Sequence, residues 1–322
     1  MKAITFHQYG SPEVLQLEDL SVPSPKAHEV LIRVHASSLS PVDCFNRLGK
    51  PFVIRFFMGL FTPQKPTLGS DLAGEIVAVG KSVSKFQIGD KVFGATIQLG
   101  GHAEYICLSE EEALIPIPTN MTMEEAAAIP YGALTALPFL RDAGNIQAGM
   151  KVLINGASGS IGTCAVQLAK FYGAEVTGVC SGRNMELVRS LGADHVIDYT
   201  REDFTQNGEL YDIVFDTVGK RSYGECKKSL TVQGIYLNPD ISWEIIPQMW
   251  WTSLFGKKKA KIAFTGLRPI PAKIKDLYFL TELIEEGLLT AIIDRQYKLE
   301  EATRAHRYVE TGRKRGNVLF IP

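Results

Sequence analysis

Cysteine is scarce in this chain and never clustered. Cys44, Cys107, Cys164, Cys180 and Cys226 lie far apart and include no Cys-x-x-Cys pair. That excludes a disulfide frame and points to reduced thiols in a cytoplasmic protein. Charge of one sign is also lacking. The net charge is −1, with lysine and arginine spread along the sequence, so nothing speaks for a nucleic-acid partner. No apolar run is long enough to span a bilayer. The opening MKAITFHQYG reads as a strand, without the apolar core of a signal peptide. Internal repeats and low-complexity tracts are absent too. A length of 322 residues then suggests two domains with a substantial core.

The first third has the texture of a mostly β domain. Short alternating runs such as EVLIRVHA, GEIVAVG and AEYICL are punctuated by glycine and proline. From Glu124 the texture changes. MEEAAAIPYGALTALPFL reads as helix with a proline break, followed by βα alternation with strands KVLIN, EVTGVC, HVID, YDIVFD, GIYLN and KIAFTG (Lys261 to Gly266). The fold class is α/β: a doubly wound, six-stranded parallel sheet over 125–266, inserted in a β-rich domain made of 1–124 and 267–322. Two amphipathic helices, AKIKDLYFLTELIEEG and LEEATRAHRYVETG, and a last strand NVLFI complete the return segment. The active site is expected in the cleft between the two domains.

NGASGSIGT (Asn155 to Thr163) holds three glycines at every third position, between an apolar strand and a helical pattern. On such a strand-to-helix turn the backbone N–H groups and the helix dipole converge, which suits a phosphate. Ala157-x-Gly159-x-x-Gly162 follows the dinucleotide fingerprint, with alanine at the first glycine's place. A carboxylate at the end of the next strand would mark NAD. The chain instead reads Cys180, Ser181, Gly182, Arg183, Asn184, with no acid before Glu186. Arg183 and the Ser181 hydroxyl would bind a 2′-phosphate, so the expected cofactor is NADPH.

Five blocks in order carry a resemblance: PTLGSDLAGEIVAVGKSVSKFQIGDKVFG, VLINGASGSIGTCAVQLAK, SLGADHVIDY, FDTVG and AHRYVETGRKRGNVLF. The chain resembles the medium-chain dehydrogenase/reductase superfamily, in its zinc-independent quinone oxidoreductase-like branch. The likeness covers nearly the whole length and implies a GroES-like first domain beside the Rossmann domain. Zinc-using relatives place a cysteine three residues before an aspartate and a His-Glu pair after an LG turn. Here Ser40 precedes Asp43, and Gly69-Ser70-Asp71 stands where Gly-His-Glu would. No histidine pairs with a cysteine at ligand spacing, and zinc needs three or four converging ligands. No metal is expected, and Cys44 reads as a small buried hydrophobe.

The resemblance also implies contacts. Thr135 would lie against the nicotinamide half, and Ser158, Gly159, Ser160 and Ile161 would cover the pyrophosphate. Tyr199 would join Ser181 and Arg183 around the 2′-phosphate, and Val218 and Gly219 would line the nicotinamide pocket. Ser40 stands where many relatives carry asparagine. Without a metal, the acceptor must be activated by its own conjugation, as in a quinone or an α,β-unsaturated carbonyl. NADPH-dependent reduction of such acceptors is the expected function. Asp43 and Tyr131 are candidates to donate or relay a proton, and each has a structural alternative. His102 reads as packing, and Glu110 to Glu112 as a solvated charge run. The rival reading is an NADPH-binding scaffold or sensor without turnover.

Two apolar segments exceed what a core needs: PFVIRFFMGLF (Pro51 to Phe61) and IIPQMWWTSLFGKKKAK (Ile245 to Lys261). In one reading they pack together and roof a greasy substrate mouth, with Phe52, Phe56, Trp250 and Trp251 lining it. In the other, Trp250, Trp251 and Phe255 enter a membrane surface beside Lys257 to Lys259, making the protein peripheral to a membrane. GIYLN and KIAFTG would end the sheet on an uncapped edge, which together with the resemblance leads us to expect a homodimer.

Overall fold

The computed structural model describes residues 1–239 and 245–322. Its first third is built of β1 (Lys2–Thr5), β2 (Gln16–Asp19), β3 (Glu29–Leu39), β4 (Asp71–Val79), β5 (Lys91–Ala95), β6 (Tyr105–Ser109) and β7 (Ala113–Pro116). Helices α1 (Pro41–Leu48) and α2 (Arg55–Met58) lie between β3 and β4. Next come α3 (Met123–Ala128) and α4 (Pro130–Pro138). The alternating part runs β8 (Lys151–Asn155), α5 (Ser160–Phe171), β9 (Glu175–Cys180), α6 (Met185–Ser190), β10 (His195–Asp198) and β11 (Tyr211–Asp216). It continues through α7 (Tyr223–Cys226), β12 (Leu230–Leu237), α8 (Ile245–Phe255) and β13 (Lys259–Lys261). The last segment is α9 (Ile270–Glu285), β14 (Ile293–Lys298), α10 (Ala302–Glu310) and β15 (Asn317–Ile321).

The chain forms two units. In the first, residues 1–131, 269–285 and 291–322 carry a sheet in the order β14-β15-β3-β4-β5-β7, with β6 also paired to β3. Val30, Ile32 and Val34 of β3 alternate inward and meet Leu72, Ile76, Val92 and Leu108, the period-two pattern of a half-buried strand. The long strand is thus the spine of this unit.

In the second unit, residues 132–268 and 286–290 carry the parallel sheet β10-β9-β8-β11-β12-β13. That is the doubly wound order 3-2-1-4-5-6, whose winding reverses between β8 and β11. Val152, Leu153 and Ile154 of β8 are all fully buried, as a central parallel strand covered on both faces requires.

The domain limits differ from those expected, for visible reasons. Helix α3 packs on β3 and β4 and so stays with the first unit. Its start is a capping box in which the Glu125 amide donates to Thr122 Oγ1 (3.2 Å) and the Thr122 amide to Glu125 Oε2 (2.9 Å). Residues 286–290 join the second unit because Gln167 grips Thr290. The Thr290 amide and hydroxyl donate to Gln167 Oε1 (2.9 and 3.0 Å), and Gln167 Nε2 donates to the Thr290 carbonyl (3.1 Å).

Three expectations need correction. The sixth strand is Lys259–Lys261 rather than KIAFTG, and Thr265–Leu267 is a 3-10 turn; parallel pairing with β12 ends at Lys261. The run Glu110 to Glu112 is not solvated as a whole, since Glu110 and Glu112 are buried. Glu110 Oε2 accepts from the amides of Ser84 (2.8 Å) and Lys85 (2.9 Å), and Glu112 Oε1 from Gln98 Nε2 (2.9 Å); unsatisfied amides attracted the charge. Finally, the aromatic side chains of the two apolar segments are not covered. Phe52, Phe56, Phe57 and Phe61 on the first unit, and Trp250, Trp251 and Phe255 on the second, are all exposed.

Candidate functional site

The glycine-rich turn occupies the carboxyl end of β8, at the point where the winding reverses. Its glycines have different reasons. Gly156 has φ +81°, and a Cβ there would run into Val218 Cγ2 and stand 2.7 Å from Thr217 Oγ1. A Cβ on Gly162 would strike the Gly156 carbonyl, so that residue serves the packing of α5 on the turn. Only Gly159 opens outward, since its Cβ would meet nothing nearer than the Gly156 carbonyl at 3.4 Å. Gly159 is the N-cap of α5, where the helix dipole places partial positive charge. An open cradle over a helix N-terminus fits the pyrophosphate of a nicotinamide dinucleotide.

The neighbours of this turn are fixed by polar groups that sequence reasoning did not single out. Asn184 is buried, and its Nδ2 donates to Ser158 Oγ (3.0 Å), which sets the direction of that hydroxyl. Asp216, at the end of β11, is fully buried. Its Oδ1 accepts from Asn155 Nδ2 (2.8 Å) and from the amides of Val218 and Gly219 (both 3.2 Å), while Oδ2 accepts from the Arg221 amide (2.9 Å). Burial raises its carboxyl above the ordinary range, and these donors pull the other way. One carboxylate therefore ties β8 to β11 and shapes the loop carrying Val218 and Gly219. The Asp-x-x-Gly pattern inside FDTVG was a usable signal, because aspartate commonly binds amides two and three residues on.

At the end of β9, Ser181 caps a 3-10 turn, Gly182–Asn184, that contains the exposed Arg183. The Tyr199 amide donates to the Cys180 carbonyl (3.1 Å), which brings Tyr199 beside Ser181. Ser181, Arg183 and Tyr199 thus share the carboxyl edge of β9 and β10. Asp198 also stands there, close to Gly182. Amide and hydroxyl bonds from Thr200, a Gly182 amide bond and Arg201 hold its carboxyl below the usual range. Thr135 and Tyr131 lie four residues apart on α4, hence on one helix face, and both are partly buried.

In the first unit Ser40 and Asp43 meet, but as a capping box for α1. Asp43 Oδ2 accepts from the Ser40 amide (2.8 Å) and hydroxyl (2.7 Å), and Oδ1 accepts from the Gly69 amide (3.1 Å). Asp43 and Ser40 are both buried. Ser70 gives its hydroxyl to Asp71 Oδ2 (2.7 Å). His102 is fully buried, packs edge-on against Phe320 with centroids 4.8 Å apart, and has Nε2 3.1 Å from the Ser38 carbonyl. The Cys44 thiol is pushed up to about 12, chiefly by burial, which leaves it unreactive. Among the described residues no group of three or more histidine, cysteine, aspartate or glutamate side chains is placed to hold a metal.

Residues 26–119 match the alcohol dehydrogenase GroES-like domain, and residues 191–319 match a family described as zinc-binding dehydrogenase. The chain is 33% identical to the chloroplast envelope quinone oxidoreductase homolog of Arabidopsis thaliana, over all of this chain and 98% of that one. It belongs to the medium-chain dehydrogenase/reductase superfamily, in the zinc-independent quinone oxidoreductase-like branch. The zinc in the family description finds serines at positions 40 and 70 of this member. The 2-methylene-furan-3-one reductase of Solanum lycopersicum is 32% identical over all of this chain and 79% of its own length. The quinone oxidoreductase structure from Coxiella burnetii superposes with a TM-score of 0.89 at 32% identity, covering 100% of this chain and 99% of that one. This dehydrogenase/reductase is an oxidoreductase with a GroES-like unit, a Rossmann unit and a fit to a nicotinamide cofactor.

Proposed function

We propose that this protein is an NADPH-dependent reductase of quinones or of the C=C bond of α,β-unsaturated carbonyls, with lipophilic acceptors preferred. The open cradle at Gly159, with Arg183 and Ser181 at the end of the neighbouring strand, is the observation that carries the reading. When bound, the reduced dinucleotide supplies hydride from the nicotinamide C4 to the electrophilic carbon of the acceptor. The amides at the start of α5 (Ser160, Ile161) and the Ser158 hydroxyl would hold the pyrophosphate. Arg183 and Ser181 would hold the 2′-phosphate, and Tyr199 would flank the adenosine. Asp198 stays ionised at this edge, so Arg183 has to outweigh its repulsion of that phosphate. Thr135, Val218 and Gly219 would border the nicotinamide, with Asp216 keeping the latter two in place.

A conjugated acceptor needs positioning more than an acid. Of the two candidate proton donors, Asp43 is buried and engaged in capping α1, so we favour Tyr131. Phe52 and Phe56, 5.8 Å apart edge to face, would favour apolar substrates. The outer edge of β13, which pairs only with β12 among the described residues, supports a homodimer, testable by light scattering.

The deciding assay is loss of NADPH absorbance with a panel of quinones, enones, saturated ketones and alcohols. Quinones or enones should turn over, and saturated ketones and alcohols should not. Turnover of none would leave the scaffold reading standing. NADPH should bind at least about tenfold tighter than NADH, since a charge-assisted phosphate contact contributes about 1.5–3 kcal/mol. Arg183→Ala should erase most of that preference, and equal affinities in the wild type would sink the assignment.

A further inference from the structure

Helix α8 is largely apolar yet half uncovered. Ile245 and Thr252 are buried and lie on one side of the helix by its 3.6-residue period. Trp250, Trp251, Leu254 and Phe255 are linked as i, i+3 and i, i+4 neighbours around the rest of the helix, and about 70% of each is exposed. The rings of Trp251 and Phe255 stand 5.2 Å apart, so part of the outer face is a paired aromatic surface. Soluble surfaces seldom expose such a patch unless something covers it. Eleven residues are too few to cross a bilayer, but enough to lie in its interface.

The surroundings select the occupant. Residues 245–261 contain four lysines and no acidic residue. Lys258 Nζ donates to the carbonyls of Lys227 (2.8 Å) and Leu230 (2.7 Å), which draws Lys227 and Lys228 to the same end of α8. Lys259 Nζ donates to the carbonyls of Thr252 (2.7 Å) and Ser253 (3.1 Å), at the helix C-terminus. Five lysines, at 227, 228, 257, 258 and 259, thus gather near the carboxyl end of α8, with Lys258 and Lys259 turned onto backbone carbonyls and Lys227, Lys228 and Lys257 exposed. The nearby acids Glu225 and Asp203 are each paired with Arg221 (3.2 Å), so the positive charge is not cancelled locally. A basic cluster near the end of an exposed tryptophan-rich helix matches the two signals for binding an anionic lipid surface.

We propose that α8 docks the protein on anionic membrane surfaces, with Trp250, Trp251, Leu254 and Phe255 in the headgroup layer and the lysine cluster against the lipid phosphates. This is independent of the reaction proposed above. The test is co-sedimentation of the full chain with phosphatidylcholine vesicles, with and without phosphatidylglycerol, alongside quenching of tryptophan fluorescence by brominated lipid. Binding should need phosphatidylglycerol and weaken with salt. Trp250→Ala/Trp251→Ala should lose at least tenfold in partitioning. Lys228→Glu and Lys257→Glu should each lose roughly fivefold or more. Circular dichroism and thermal midpoint should be unchanged, because all four side chains are exposed.

Failure to bind either vesicle, equal binding to both, or full binding by the double tryptophan variant would each overturn the proposal. So would absence of lipid binding combined with a change of mass by light scattering in that variant, which would assign the face to a second copy of the chain.

Discussion

Replacing Asp71 with asparagine should stabilise the protein at neutral and alkaline pH while changing little in acid. Asp71 opens β4 with 3% of its surface exposed. Its Oδ2 accepts from the hydroxyls of Ser70 (2.7 Å) and Ser38 (3.4 Å). Burial pushes the carboxyl from 3.8 up to about 7, and the charge of Asp43 adds to the rise. The Ser70 and Ser38 hydroxyls and Lys273 oppose it. A carboxyl whose pKa is raised in the fold adds stability that is complete below the unfolded value and is lost as pH climbs through the folded one. Each pH unit in that window is worth about 1.4 kcal/mol. Between about pH 5 and about pH 7 the wild type should therefore lose about 2.3 kcal/mol relative to Asp71→Asn, the slope flattening as the folded carboxyl itself ionises. Above about pH 8 the difference should be constant. Asparagine keeps an acceptor for the Ser70 hydroxyl and nearly the same volume, so packing cancels in the comparison. Urea unfolding of both proteins across this range, read as the difference at each pH, makes all other titrations drop out. A difference that stays flat from pH 5 to pH 8, or that grows toward acid, would refute the reasoning.

His306 should act in the opposite sense. Burial, with the charges of His102 and Arg47, holds it well below its ordinary value, so stability is complete above about pH 6.5 and falls below it. The acid limb of the stability profile should be shallower in His306→Gln by up to about 1.4 kcal/mol per pH unit. Gly156→Ala should lower stability by about 2 kcal/mol or more, through strain at positive φ and displacement of Val218, and should weaken dinucleotide binding by isothermal titration. Gly159→Ala should cost under about 1 kcal/mol in stability yet still weaken that binding; unaltered binding would show that the open space at Gly159 is not the cradle. Asp216→Ala should cost about 3 kcal/mol or more in urea unfolding by stranding amides at 218, 219 and 221, and a cost under about 1 kcal/mol would show that the loop keeps its own shape.

The doubly wound sheet was legible because each buried parallel strand is a short apolar run set between glycine turns and helical periods. The strand-to-helix turn was legible because three glycines at every third position separate an apolar run from a helical period. Less legible were features created by distant partners. Glu110 and Glu112 look like a surface run until the amides at 84 and 85 and the Gln98 side chain come to them. Asn184 looks like a helix-start residue until Ser158 stands 3.0 Å away. KIAFTG has strand composition throughout, but a strand needs a neighbour, and β12 offers pairing only as far as Lys261. For Trp250 the sequence left burial and exposure both open, and for Phe56 it suggested burial. A hydrophobic run says that burial would be favourable, not that anything is available to bury it.

The placement of β15 bears on how the protein is made. Residues 318–320 pair with 37–39 of β3, and β15 stands between β14 and β3 in the sheet. A ribosome therefore exposes residues 37–39 of β3 almost 280 residues before β15 exists, and the edge that β15 will cover must wait unpaired while the other edge meets β4. The Rossmann unit waits less, though Gln167 finds no Thr290 until some 120 residues after it has emerged. Nascent chains stalled before residue 317 should then carry a finished nucleotide-binding unit beside an open edge on β3. That edge is where a chaperone would hold the chain and where premature release would start aggregation.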